Sequence, residues 1–256
     1  MSQRRALILG LSLLLGSCSN TTGGSLILMP FRIGGPARDA TQPFTFTTAK
    51  GWTVTLDQAL VATGPFYFNV SAPPTDQPRG GVVIAEVTQQ LTVNVLDPSL
   101  QEVANGVDGE TGHAISVEVQ LLPPDAQQSD ASHATLGTGC AFVSGTATNG
   151  AVSVPFAGQV VIDPSIVPAT TTLDVYERVR GASTDLTFTQ AQEALVARID
   201  PSHWFDFVDF TPLGADTSHV DAQGRHGWLP QSLTNVHLVQ GLKSETGVYQ
   251  FTLEAR

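Results

Sequence analysis

The most constraining feature of this chain is an alternation of apolar and polar residues with a period of two. In HAISVEVQLL (residues 113–122), every second residue from Ile115 to Leu121 is apolar, and the residues between them are polar. Successive side chains of a β-strand point to opposite faces of the sheet. The pattern therefore predicts a strand with one face on a core and the other toward solvent.

Short runs of this kind, rich in β-branched and aromatic residues, recur along the chain and are separated by Gly-Pro and Pro-Pro pairs. They include FTFTT, WTVTL, FYFNV, LTVNVL, VHLVQGL and VYQFTLEA. About ten short strands separated by turn residues predict an all-β fold, an antiparallel β-sandwich with little helix.

The strongest local signal is a hairpin in AFVSGTATNGAVSVPFAGQVVI, residues 141–162. Asn149-Gly150 lies between two strand-like runs, and this pair suits a type I′ turn because both central residues need positive φ. Pro155, in the second run, has no N–H to donate to a ladder. It therefore predicts an edge strand or a bulge.

Helix signals are scarce. Residues 189–198, TQAQEALVAR, have a helical composition but would equally form a loop that leads into a strand. Asp200 is a suitable cap for one helical turn that begins at Pro201. Such a turn would pack Trp204 against Phe207 and Val208 at the end of the sandwich.

The first residues have the composition of an export signal. Arg4 and Arg5 precede an apolar run over residues 6–15, and small residues follow it. A run of ten residues is too short to cross a hydrocarbon core of about 30 Å as a helix. Leu15-Gly16-Ser17-Cys18 resembles the lipobox of bacterial lipoproteins over all four positions.

The lipobox resemblance implies that the signal is removed before Cys18 and that this cysteine carries the lipid. Several acyl chains anchor a protein stably where one would not. In that family an aspartate directly after the cysteine favours retention in the inner membrane, and Ser19 stands there instead. The resemblance therefore implies an outer-membrane location, with the membrane contacted through the lipid anchor.

The predicted organisation has three parts: a signal peptide over residues 1–17, a lipidated N-terminus and tether over 18–43, and a β-sandwich domain over 44–256. The tether is rich in Ser, Thr, Gly and Pro but contains one apolar patch, residues 26–33. This patch would be either an edge strand docked on the body or a segment near the membrane surface, and we favour the strand.

The charge of the chain excludes one class of partner. Without residues 1–17 the chain keeps ten basic and 23 acidic residues, a net charge of −13. Nucleic-acid binding depends on Lys and Arg contacts to phosphate, so we expect no nucleic-acid partner. A protein partner in the cell envelope, or an unidentified ligand, remains compatible with this charge.

A second resemblance extends over the body in scattered patches. Residues 51–56, GWTVTL, residues 64–68, GPFYF, and residues 204–210, WFDFVDF, resemble segments of a group of bacterial outer-membrane lipoproteins. The shared residues are aromatics, glycines and alternating valines, which are structural in character. No activity is attached to that group, so the resemblance implies a location and no chemistry.

The sequence offers no catalytic motif. The strings G-x-S-x-G, H-E-x-x-H, C-x-x-C and the glycine-lysine phosphate loop are all absent. Cys140 begins an apolar segment without a histidine nearby, so we expect a buried thiol and not a nucleophile. We therefore expect a non-catalytic binding or structural module, with a hydrolase as the less favoured reading.

The alternative function is metal binding. His219 and Asp221 are two residues apart, so on a strand both would face one side, and His226 follows in a loop between glycines. Imidazole and carboxylate suit Zn or Cu. The simpler interpretation is that these three are exposed loop residues and that the protein has no cofactor. Trp228 is the tryptophan with the most polar neighbours and is the candidate for an exposed ring.

Overall fold

The computed structural model describes residues 23–71, 81–124, 131–169 and 171–255. The predicted signal peptide and the lipidation site at Cys18 lie outside these residues. Strands account for 47% of the structure and helices for 14%, which confirms the all-β prediction. The strands are β1 (Leu26–Gly34), β2 (Phe44–Thr47), β3 (Thr53–Thr63), β4 (Phe66–Asn69), β5 (Val83–Val87), β6 (Leu91–Asn94), β7 (Gln101–Glu110), β8 (Gly112–Gln120), β9 (Ala141–Asn149), β10 (Val152–Val160), β11 (Arg178–Phe188), β12 (Glu193–Ile199) and β13 (Tyr249–Ala255). The helices are α1 (Ala131–Leu136), α2 (Leu173–Tyr176), α3 (Phe210–Ala215) and α4 (Leu233–Leu242), with 3₁₀ turns at Pro164–Ile166 and Pro201–Phe205.

The strands form two sheets. The larger has eight strands in the order β11-β8-β4-β5-β7-β1-β12-β13, and its two end strands approach each other. The smaller has five strands, β10-β9-β3-β2 with β6 also paired to β3. Neighbours are antiparallel except β1 and β12, which run parallel. The described chain therefore has more strands than the sequence predicted, because runs such as residues 82–96 form two strands.

The apolar patch in the predicted tether is strand β1. Its second half pairs with β12 from Phe31 to Gly34, and β7 pairs along its other side from Leu26 to Ile33. The strand prediction is confirmed, but the edge placement is wrong. Leu26–Gly34 is part of the sheet and not of a tether, because its inward residues, among them the fully buried Phe31 and Ile33, belong to the core.

One continuous apolar core connects the two sheets. Its aromatic side chains form two groups. Phe68 packs edge to face against Phe188 and Phe251 in the larger sheet, with ring centroids 5.4 and 5.5 Å apart. At the smaller sheet, Phe156 of β10 lies 5.2 Å from Phe210 of α3. Burial of such large rings is the main stabilising contribution that this core makes.

The predicted hairpin is present as β9 and β10, with Asn149 paired to Val152. The predicted type I′ turn is wrong. Gly150 has φ of 59°, but no non-glycine residue in the described chain has positive φ. Gly150 is therefore the first of two central residues, followed by Ala151, as in a type II′ turn. Pro155 lies on an edge strand, as predicted, since β10 ends the smaller sheet.

The alternating pattern of residues 113–122 forms β8, but the predicted facing is only partly right. Val117 and Val119 are fully buried, whereas Ile115 is 41% exposed. Glu118, predicted to face solvent, is 4% exposed and receives a hydrogen bond from Arg178 at 2.8 Å. On the outer face of β8, the Glu118 carboxylate is therefore paired with Arg178 and not hydrated by solvent.

The helix predictions were mixed. Residues 189–198 lead into β12, so the strand alternative is correct. Asp200 caps the turn at Pro201–Phe205 by accepting from the Ser202 N–H at 2.9 Å, as predicted. Trp204 is fully buried, but Phe207 is 48% exposed and is not part of the plug. VHLVQGL is not a strand: it lies within α4, whose first turn is capped by Ser232.

Candidate functional site

The outer edge of β10 is covered by residues 216–235, which we call the cover segment. The main chain of His226 pairs with this edge twice: its N–H donates to Pro155 O at 2.8 Å, and its carbonyl accepts from the Ala157 N–H at 3.1 Å. An edge strand has unpaired N–H and C=O groups that need partners. The cover segment supplies them over the middle of β10.

Trp228 covers the next part of the β10 edge, at Gly158 and Gln159. Its indole N–H donates to Gln159 O at 2.9 Å, and its ring lies against Gly158. A Cβ atom at position 158 would lie 2.8 Å from the indole Cε2. Glycine at this position therefore allows the ring to lie flat on the strand. Trp228 is half-buried and contacts the core through Phe156, with ring centroids 6.3 Å apart.

Asn235, in the first turn of α4, completes the cover. Its side chain is fully buried, and its amide accepts from the Val161 N–H at 2.8 Å and donates to Val161 O at 2.7 Å. The same amide nitrogen also donates to Pro230 O at 2.6 Å. One carboxamide thus continues the ladder beyond the end of β10 and connects α4 to the smaller sheet.

The predicted metal-site residues lie at the start of the cover segment. Residues 219–227 form a small hairpin in which the Gly227 N–H donates to His219 O at 2.7 Å. Asp221 accepts from the Arg225 N–H at 2.9 Å and from the Arg225 guanidinium at 2.8 Å. These bonds are the first causes that lower the pKa of the Asp221 carboxyl. Its carboxylate is therefore occupied by the turn.

Asp216 brings the two histidines together. Nδ1 of His226 donates to the Asp216 carbonyl at 2.9 Å, and Nδ1 of His219 lies 3.3 Å from the Asp216 carboxylate. Hydrogen bonds from the Ser218 side chain and main chain, and then from His219, lower the pKa of Asp216 to about 2. The carboxylate is therefore ionised at neutral pH. Nδ1 of His226 is engaged by Asp216, and Nδ1 of His219 by Asp216 and by the Ser218 hydroxyl at 2.8 Å, which leaves Nε2 as the second nitrogen of each ring.

Metal-ligating side chains do not converge on a metal site in the part of the chain that is described, and this includes the surroundings of Asp216. No group of three or more His, Cys, Asp or Glu with the geometry of a metal site occurs among those residues. His219 and His226 both contact Asp216, whereas the Asp221 carboxylate binds Arg225. Asp216 is the acidic residue between the histidines, and the sequence spacing gave no reason to single it out.

A cleft of about 380 Å³ opens beside Trp228, between α3 and the start of α4. Apolar side chains form most of its lining, and Asp216 lies at its margin. Two of these side chains project into solvent: Leu229 is 50% exposed and Leu233 is 65% exposed. Clefts of this size and composition are typical of small-ligand sites. The described residues thus place one ionised carboxylate next to an open apolar surface.

Sequence reasoning found Trp228 as a candidate ring but missed the cleft. The sequence pattern predicts no element at Leu233 and a strand for the run VHLVQGL that follows it. The signal that would have corrected this is Ser232, which precedes a run with apolar residues at helical spacing. The Ser232 side chain accepts from the Asn235 N–H at 3.2 Å and fixes the first turn of α4.

The remaining candidate groups are structural. Cys140 is buried, and burial raises the pKa of its thiol to about 12, so it is neutral at physiological pH. Trp52 and Trp204 are core residues, 4% and 0% exposed. His113 pairs with Asp185 on the surface at 2.6 Å. None of these groups adjoins the cleft lining.

Comparison with known proteins adds no relative: no family model, no curated protein and no solved structure matches the chain. Over the ranges that the structure describes, no helix has the length and apolar character needed to cross a bilayer.

Proposed function

We propose that this protein is a bacterial envelope lipoprotein, anchored to the outer membrane through lipid on Cys18, and that its β-sandwich is a non-catalytic binding module. The cleft beside Trp228 takes a small apolar ligand, and the partner or ligand reaches it from the envelope. The lipobox resemblance supports the anchor, and the absence of a catalytic motif in the sequence supports a binding role.

The observation that carries the binding role is the exposure of Leu229 and Leu233 in a concave surface. Isolated exposed leucines are ordinary, but two that line one cleft with an indole ring form a site from which a ligand displaces water. The ionised Asp216 at the margin disfavours anionic ligands and favours neutral or cationic ones.

Fluorescence titration with N-phenyl-1-naphthylamine, a neutral apolar probe, tests the cleft. We expect one saturable site, and we expect Leu229→Ser and Leu233→Ser each to weaken it about tenfold, because each removes apolar area from the contact. Val152→Ser, at an exposed valine of the β9–β10 turn, is the matched control and should leave the affinity unchanged. Binding that does not saturate, or that survives both leucine changes, would contradict the proposal.

Intact-mass analysis of protein extracted from membranes tests the anchor. We expect a chain that begins at Cys18 and carries acyl groups. The Cys18→Ser variant should carry no acyl group and should keep its signal peptide. An unacylated chain that begins elsewhere would exclude the lipoprotein assignment while leaving the cleft titration interpretable.

Metal binding is the second candidate, favoured by the arrangement around Asp216. A metal-ligating histidine commonly donates its other ring N–H to a carbonyl or carboxylate, which fixes the ring. His226 and His219 both engage Asp216 through Nδ1. In this proposal the two Nε2 atoms hold Zn²⁺ or Cu²⁺, and Asp221 contributes to the turn and not to the metal.

A further inference from the structure

The most exposed large apolar side chains in the described residues are Leu26 and Leu28, at 76% and 77%. They are two residues apart on β1, so they share the outer face of the larger sheet. Between and beyond them, Ile27 and Met29 face the core at 6% and 4% exposure. We call the two leucines the β1 ridge. The core does not use them, so the packing of the fold gives no reason for leucine there.

The ridge extends toward a neighbouring strand. Leu26 and Val83 of β5 line one shallow depression of about 410 Å³, and Val83 is 42% exposed. The first half of β1 is also less covered than the second, because β12 pairs with β1 only from Phe31 onward. Exposed apolar side chains therefore adjoin one another at the N-terminal half of β1.

The position of the ridge in the chain indicates what covers it. Leu26 is eight residues after Cys18. A chain of this length spans at most about 28 Å when fully extended. If Cys18 carries lipid, as proposed above, it lies at the membrane interface, and β1 is the first strand after it. The ridge is thus held within reach of the bilayer at all times.

The charges beside the ridge restrict the kind of surface. Asp108 of β7 is directly opposite Leu28, Glu110 is opposite Leu26, and Glu86 of β5 is opposite Asp108. Carboxylates at these positions are repelled by anionic lipid headgroups, and the repulsion is screened by salt. Zwitterionic headgroups lack this penalty.

We propose that the β1 ridge docks on a zwitterionic lipid surface and holds the body against the membrane in one orientation, with Leu26 and Leu28 in the interface. This inference depends on the proposed lipidation of Cys18. Lipid tethering makes the docking intramolecular, so even a small apolar contact becomes effective. Partial burial of the two leucine side chains in the membrane interface stabilises the docked state. It raises the ratio of docked to undocked protein about tenfold or more.

The test places an environment-sensitive nitrobenzoxadiazole label on Ala104→Cys, an exposed residue of β7 that lines one depression with Leu28. The matched label is on Val152→Cys, which is 54% exposed in the smaller sheet. Cys140 is buried and does not compete for the label. The lipidated chain, its acyl mass verified, is reconstituted in phosphatidylcholine vesicles that contain a doxyl-quenched lipid.

We expect quenching at position 104 and not at 152, and about a tenfold shift toward the undocked state in Leu26→Ser/Leu28→Ser. Phosphatidylglycerol should reduce the quenching at low salt, and added salt should restore it. Equal quenching at 104 and 152, or quenching at 104 that persists without the leucines, would overturn the proposal.

A second arm separates this proposal from lipidation itself. The mature chain with Cys18→Ser and an N-terminal hexahistidine tag is held on a nickel-chelating lipid in the same vesicles. Leucine-dependent quenching at position 104 in this arm supports ridge docking even if native protein proves unacylated. A label that stays in water in both arms overturns docking on lipid.

Discussion

The carboxamide of Asn235 forms hydrogen bonds with both main-chain groups of Val161, at 2.8 and 2.7 Å. It does so from a helix, α4, and it is fully buried. A side-chain amide has the same donor and acceptor pair as a peptide group, so Asn235 replaces one residue of a neighbouring strand. This polar contact attaches α4 to the smaller sheet, beside the apolar side chains Leu238, Val239 and Leu242 that α4 contributes to the core.

Asn235→Ala should lower the free energy of unfolding by about 1–3 kcal/mol, because it leaves the two partly buried main-chain groups of Val161 without their partners. Urea unfolding measures the change, and Asn105→Ala, at an exposed asparagine of β7, is the control that should stay within about 0.5 kcal/mol of wild type. A loss no larger than that of the control would show that water replaces the amide at Val161.

Gly150→Val should destabilise the protein by about 1–2 kcal/mol, since φ at this position is 59° and a β-branched residue is strained there. Thermal unfolding is the measurement. Ala151→Val, at the next and equally exposed turn residue, should cost much less because its φ is not positive. Similar melting temperatures for the two variants would mean that the turn readily changes type.

Lys243 should make stability depend on pH in the alkaline range. Burial lowers its pKa from 10.5 to about 8, although its ammonium lies 4.0 Å from the Tyr176 ring centroid. Between these two values the unfolded chain binds more protons than the folded one, so stability from this group rises with pH. Burial of Cys140 raises the pKa of its thiol from 9.0 to about 12 and acts in the opposite direction above pH 9.

The comparison of wild type with Lys243→Met reports mainly on the lysine, because burial, the largest cause of the Cys140 pKa shift, is present in both proteins. Wild type should gain about 2 kcal/mol relative to the variant between pH 8 and 10.5. Urea unfolding at four pH values measures this difference. A constant difference across the range would mean that the ammonium remains solvated in the folded state.

Zinc binding at the site proposed around Asp216 should require both histidines and not Asp221. Calorimetry with Zn²⁺ and Cu²⁺ should show one saturable site that is lost in His219→Ala and in His226→Ala and kept in Asp221→Asn. Affinity should fall in acid, since imidazole must be neutral to coordinate. His113→Ala, at a histidine paired with Asp185, is the control. Equal binding by all variants would indicate unspecific surface histidines.

Period-two patterns predicted most of the strands because burial on one face is a local requirement that each strand must satisfy. The same rule failed where a residue or strand distant in the sequence pairs with the segment and buries its second side. The apolar patch over residues 26–33 was predicted to be an edge strand, and the sequence has no local signal for the parallel pairing with β12 that places its second half inside the sheet. Glu118 was expected in solvent, and its burial depends on Arg178, which is sixty residues away in the chain.

The candidate site was predicted least well, and α4 explains why. VHLVQGL has β-branched residues and alternation typical of a strand, yet the Ser232 cap and the Asn235–Val161 contact stabilise a helix. The cleft beside Trp228 exists only when α3, α4 and the edge of β10 meet. The histidines were identified from their spacing, but Asp216, which binds both, was separated from His226 by ten residues.

The cover over β10 also bears on how copies of this protein behave at high local density. A bare β10 would present a nine-residue strand edge to any neighbour. Proteins confined to a surface meet far more often than they do in free solution, and exposed strand edges then join into fibrils. Because His226, Trp228 and Asn235 occupy this edge from Pro155 onward, copies at high density would not polymerise through this part of β10.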